Sequence, residues 1–162
     1  MSDAELVRQF TKESGTHVPN VPELMTSQEV FFLIKMMLDE IMELGATVAD
    51  PNEVKIKMIK MITDSKDIPK IINVSRSELI GEQGDALVDC YYYSLNAAAK
   101  KGINISKIFQ VVHQANMNKR DPITGTFLKR EDGKIIKPDG WLPPNIQQEI
   151  LKQSREGSFE KL

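Results

Sequence analysis

Between Val30 and Leu44 almost every face of a helix would be apolar: Val30, Phe31, Phe32, Leu33, Ile34, Met36, Met37, Leu38, Ile41 and Met42 leave little room for water. A helix that is apolar all round is a buried helix. The segment is therefore expected to sit inside a helical assembly. Polar interruptions are few, and three of them are acidic: Asp39, Glu40 and Glu43. At about 100° per residue these three share an arc of roughly 100°. One to two turns earlier the same arc carries Phe32, Leu33 and Met36, so the carboxylates are not expected on a broad solvated face.

The rest of the chain is also read as helical. Residues 3–14 form a first helix. Pro19 and Pro22 hold the following segment extended. Thr26 or Ser27 caps the apolar helix, which runs from about Ser27 to Gly45, with Glu29 in its first turn. Asp50 and Pro51 restart a third helix as N-cap and N1 residues. Ser75 or Ser77 opens a long helix ending near Gly102, and Asn104 or Ser106 starts the next. After Pro122 the texture changes: residues 126–129 and 134–137 flank Arg130-Glu131-Asp132-Gly133, a hairpin signal. A short helix follows near residues 145–154. The expectation is an all-α bundle of five to six helices with a small C-terminal β-hairpin.

A length of 162 residues suits one domain covering 1–162. Net charge of −2 excludes a bulk basic footprint for nucleic acid. Residues 1–5 lack the charged and apolar regions of a leader, and no run is long enough to span a membrane. One cysteine, Cys90, excludes an intrachain disulfide and fits a reducing compartment. Cys90 faces away from the acidic stripe described next and is expected in the core. The expected setting is cytoplasmic, with neither membrane nor nucleic-acid polymer as partner.

That stripe lies on the long helix. Glu78, Glu82, Asp85, Asp89, Tyr92 and Asn96 are spaced 4, 3, 4, 3 and 4 apart, so they share one face. Gly81 and Gly84 flank it, each costing about 1 kcal/mol against alanine. Small residues there would let a ligand or another backbone approach. Acidic clusters on helices are ordinarily solvated faces. Two clusters in apolar surroundings call for a counter-charge, and magnesium takes hard oxygen ligands from carboxylates and phosphates. A di-iron bundle wants Glu-x-x-His on two helices; His17 and His113 sit in no such motif. No phosphate-binding glycine motif and no Ser-His-Asp set can be read. Lys55, Lys57, Lys60, Lys66 and Lys70 form a basic run that reads as a solvated face, or as a surface that steers an anionic substrate.

At these residues the sequence resembles the all-α nucleoside triphosphate pyrophosphohydrolase superfamily, the MazG-like group that includes phosphoribosyl-ATP pyrophosphohydrolase and dimeric dUTPases. Asp39-Glu40-Ile41-Met42-Glu43 is similar to that family's Glu-Glu-x-x-Glu. Glu82-Gln83-Gly84-Asp85 is similar to its Glu-x-x-Asp, extended by Asp89 and Tyr92. His113-Gln114-Ala115-Asn116-Met117-Asn118-Lys119 resembles a further segment, and residues 132–144 resemble the tail of the phosphoribosyl-ATP branch. Asp39 stands where the family has glutamate, one methylene shorter. Residues 50–74 are longer and richer in lysine and isoleucine than the usual connector.

The resemblance implies attack of a metal-bound water on the α-phosphorus of a nucleoside triphosphate, giving monophosphate and pyrophosphate. It implies that Glu40, Glu43, Glu82 and Asp85 ligate magnesium, with manganese as a substitute. Asp39 would be an outer ligand or orient the water. Asp89, Tyr92 and Asn116 would contact base or sugar, and Lys119 and Lys137 would neutralise phosphate. Trp141 is expected to anchor the tail by packing. A homodimer, or a dimer of dimers, is implied as well. Two alternatives stay open: phosphoribosyl-ATP or another nucleotide-like substrate, and a non-catalytic helical interaction protein that kept the fold.

Overall fold

A computed structural model describes residues 1–65, 67–68, 71, 73–131 and 134–159. Six helices follow in order: α1 (Asp3–Glu13), α2 (Ser27–Ala46), α3 (Pro51–Thr63), α4 (Arg76–Ala99), α5 (Ile105–Met117) and α6 (Ile146–Glu156). The all-α expectation holds.

Local chemistry explains most of the boundaries. Three helices open on the same reciprocal cap. Ser2 and Glu5 close a capping box on α1, and Thr26 and Glu29 close one on α2. Before α4, the Glu78 amide donates to Ser75 Oγ while the Ser75 amide donates to Glu78 Oε2 at 2.6 Å. Each box satisfies two amides that the helix leaves without partners. The same hydrogen bonds hold Glu5, Glu29 and Glu78 below the ordinary carboxylate range. Asp50 caps α3 with Pro51 at its first turn, Asn104 caps α5 and Asn145 caps α6. Helix α4 stops at Ala99, a turn short of Gly102. The Gly102 amide donates to the Ala99 carbonyl, and Gly102 adopts φ +67°, a left-handed turn that glycine takes without strain.

The chain divides into two compact units, residues 1–21 with 87–162 and residues 22–86. In the first, α5 packs on both α1 and α6. Among its described residues the buried apolar ones are Ala115 and Met117 on α5. Gln153 of α6 is 5% exposed; its side chain accepts from the Asn104 amide at 2.9 Å and donates to the Asn104 carbonyl at 3.1 Å. One side chain thus locks α6 to the start of α5. Phe10 and Phe127 meet edge to face at 5.3 Å, and the Arg120 guanidinium lies over Phe127 and pairs with Glu13. Asp3 accepts from Tyr91 and Ser106, bringing the start of α1 to α4 and α5.

In the second unit α2 packs on α3. Gly45 makes the contact close: a Cβ there would stand 2.5 Å from Val54 Cγ1. Among the described residues of this unit, Val54 is the buried apolar one.

Three expectations need correction. Among the described residues α2 has none buried, and Phe31, Phe32 and Leu44 are 68%, 66% and 70% exposed. The apolar circumference is real, but within one chain α3 covers only part of it. Cys90 is exposed rather than in the core, because α4 likewise has no buried residue. The hairpin reduces to one antiparallel bridge, Lys129 with Ile135, flanked by the bonds Arg130 N to Lys134 O and Ile136 N to Leu128 O. Its turn residues Asp132 and Gly133 lie outside the described residues.

Candidate functional site

The acidic motifs lie in the second unit, on α2 and on the part of α4 that belongs to it. Asp39, Glu40 and Glu43 are exposed on α2, and Glu82 and Asp85 are exposed on α4. Asp39 is engaged: Lys35 Nζ donates to it at 2.6 Å, an i,i+4 pair open to solvent on both sides. Such a pair contributes little to stability, but it holds the shortest carboxylate of the motif along its own helix. Glu40, Glu43, Glu82 and Asp85 make no ion pair among the described residues. Nor do three or more His, Cys, Asp or Glu of the described residues gather closely enough to hold a metal ion. The donor chemistry suits a hard cation; a four-carboxylate cage is not assembled in the single chain. At Gly81 and Gly84 an added Cβ would meet nothing within 4 Å, so the space beside the α4 stripe is open.

Gln83, inside the second motif, does work that the sequence reading missed. Its side-chain carbonyl accepts from the Met25 amide at 2.9 Å, and its Nε2 donates to the Met25 carbonyl at 3.2 Å. Met25 directly precedes the N-cap of α2. This two-way clasp ties the start of α2 to the turn of α4 that bears Glu82 and Asp85. A glutamine amide can stand in for a backbone strand because it carries both a donor and an acceptor. The partners are 58 residues apart, and no local pattern announces them.

The remaining predicted residues lie in the first unit. Asp89 and Tyr92 are exposed on α4, with Tyr92 at 67%. Asn116, Lys119 and Lys137 come together around Trp141. Lys119 Nζ donates to Asn116 Oδ1 at 2.7 Å and stands 5.5 Å from the indole centroid; Lys137 Nζ stands 4.4 Å from it. Trp141 Nε1 donates to the Ala115 carbonyl at 2.7 Å, so the tail is anchored on α5 as expected. Burial, then Lys137 and Lys134, hold the Lys119 ammonium below its usual range. His113 stacks on Phe109 at 6.1 Å and is a packed histidine.

A groove of about 570 Å³ opens elsewhere in this unit, between α5, residues 142–145 and α6; Gln110, Gln114, Leu142 and Pro143 are among its walls. None of the predicted site residues lines it, so this groove and the acidic chemistry are separate features. On α3, Lys57 pairs with Glu53 and Lys60 with Asp64, which makes that part of the basic run a solvated face; Lys66 and Lys70 lie outside the described residues. Among the described residues no helix is long and apolar enough to cross a membrane.

No protein-family model matches the sequence, and no curated protein matches it. The fold is shared with the crystal structure, at 1.78 Å, of a protein named "putative NTP pyrophosphohydrolase" from Exiguobacterium sp. 255-15. The TM-score is 0.72 at 24% sequence identity, over 96% of this chain and 98% of that one. At that identity the likeness establishes a common all-α fold.

Proposed function

We propose that this protein is a magnesium-dependent nucleotide pyrophosphohydrolase that works as a homodimer and releases pyrophosphate from a nucleoside triphosphate. The observation that carries the reading is the placement of both acidic motifs, Asp39-Glu40-x-x-Glu43 and Glu82-x-x-Asp85, as open stripes on two long helices of this fold. Support comes from the name of the protein that shares the fold over nearly the whole chain.

In this reading Glu40, Glu43, Glu82 and Asp85 supply the oxygen ligands, and manganese can replace magnesium. When bound, the metal neutralises phosphate charge and lowers the pKa of a water molecule. Asp39, once released from Lys35, would be an outer ligand or would orient the attacking water. Asp89, Tyr92 and Asn116 contact base or sugar, with the Asn116 amide offering both donor and acceptor. Lys119 and Lys137 neutralise phosphate. Phosphoryl transfer demands positioning and charge neutralisation more than a covalent nucleophile, and these carboxylates and lysines supply both. The carboxylates of α2 and α4 gather only once a second copy packs on the open apolar faces of these helices.

The test is pyrophosphate release from a panel of canonical and modified nucleoside triphosphates and phosphoribosyl-ATP, with and without magnesium, identifying the monophosphate co-product. Magnesium-dependent release supports the reading, and the preferred member names the substrate. A second reading, a non-catalytic helical interaction protein, is favoured by the absence of a gathered carboxylate trio among the described residues. It predicts no release and no magnesium-dependent rise in melting temperature, whereas a metal-binding enzyme must show that rise.

A further inference from the structure

The residues that follow α5 return to it with a tryptophan, and that ring collects positive charge. Lys119 and Lys137 approach the Trp141 indole at 5.5 and 4.4 Å. The two ammonium groups therefore lie within about one Debye length of each other at 0.1 M salt. They repel, and no carboxylate among the described residues pairs with either. Three features hold them there. The ring quadrupole attracts both cations. Asn116 Oδ1 accepts from Lys119. The bond from Trp141 Nε1 to the Ala115 carbonyl, at 2.7 Å, fixes the ring on α5, whose Ala115 is buried. Lys119 is half-buried, so its charge is partly stripped of water before any ligand arrives.

We propose that Trp141 is the positioning residue of an anion clamp, holding Lys119 and Lys137 ready for the diphosphate end of a nucleotide, the part released as pyrophosphate. The identity of the anion rests on the nucleotide reading above; the clamp itself rests on this geometry. A diphosphate suits it because two linked phosphates can meet two separated ammonium groups at once, each by charge-assisted hydrogen bonds. A tryptophan suits it because its face attracts cations without offering them an acceptor that the anion must displace.

Trp141 is the sole tryptophan of the chain, so its emission reports on this site. The experiment titrates the full-length protein with pyrophosphate at constant ionic strength, without metal, against chloride as control. A saturable change in emission is expected, and Lys119→Gln and Lys137→Gln should each weaken it about tenfold. Absence of a saturable change, or unaltered affinity in both variants, overturns the clamp. The role of the ring is read by calorimetry with pyrophosphate on Trp141→Phe and Trp141→Leu. Phenylalanine keeps a face for the cations and should retain more affinity than leucine. Equal loss in two variants that melt like the parent overturns the positioning role. Should the ring variants fail to fold, the lysine variants still decide whether the clamp exists. Pyrophosphate binding here without nucleotide hydrolysis leaves the clamp standing and removes the reaction. Hydrolysis with unchanged KM in both lysine variants removes the clamp and leaves the reaction.

Discussion

Glu43 and Glu82 belong to different helices and, in the proposed reaction, to one cation. Each is exposed and makes no ion pair among the described residues, so replacing either by glutamine removes charge without disturbing packing. Loss of several kcal/mol of charge stabilisation corresponds to roughly 100-fold or more in rate. Glu43→Gln and Glu82→Gln are each expected to abolish magnesium-dependent pyrophosphate release while the far-ultraviolet spectrum and melting temperature stay put. Full activity in either variant would remove it from the metal set. Residue types and spacing single out these two positions in the sequence, and the structure leaves both exposed on their helices. Gln83 was not legible, because its amide is defined by a backbone 58 residues away. The Lys35 to Asp39 pair follows the i,i+4 rule and could have been read from the sequence.

At the scale of elements, α2 and α3 meet at one tight point. Alanine in place of a helical glycine ordinarily stabilises by about 1 kcal/mol. At Gly45 the added methyl would stand 2.5 Å from Val54 Cγ1. Valine is stiff at χ1 and cannot swing aside, and overpacking of this kind costs about 1–3 kcal/mol. Gly45→Ala is expected to lower the melting temperature, and Val54→Ala in the same chain to recover part of the loss. A raised melting temperature in the single variant would show that α3 moves away freely. Helix starts were well read because capping is local: Ser2 with Glu5, Thr26 with Glu29 and Ser75 with Glu78 each span three residues. The hairpin was over-read. Its β-prone residues 126–129 and 134–137 meet at a single bridge, because an isolated pair of short strands is marginal in water.

At the scale of the whole molecule, the open apolar surface sets the expectation. Phe31, Phe32, Ile41 and Leu44 on α2 and Val88, Tyr91 and Tyr92 on α4 are all more than half exposed. Large apolar side chains exposed in such number along a helix mark an interaction surface. Size exclusion with light scattering should give twice 18.3 kDa or a multiple of it, and the melting temperature should rise with protein concentration. Phe31→Glu with Phe32→Glu should shift the mass towards one chain or unfold the protein. A parent that is monomeric at micromolar concentration, with a concentration-independent melt, would overturn the homodimer.

The amino-acid sequence by itself determined the class of fold, the six helices and nearly all of their starts. It also determined the two acidic stripes, because each depends on residues no more than four apart along one helix. Only the tertiary structure decided where those helices find partners. It clasped Met25 with Gln83 and Asn104 with Gln153, and it brought Lys119 and Lys137 to one indole. It also left α2 open, where composition pointed to burial. The physical reason is the same throughout: a helix records its own periodicity in its sequence, whereas burial and charge pairing depend on which distant surface arrives to meet it.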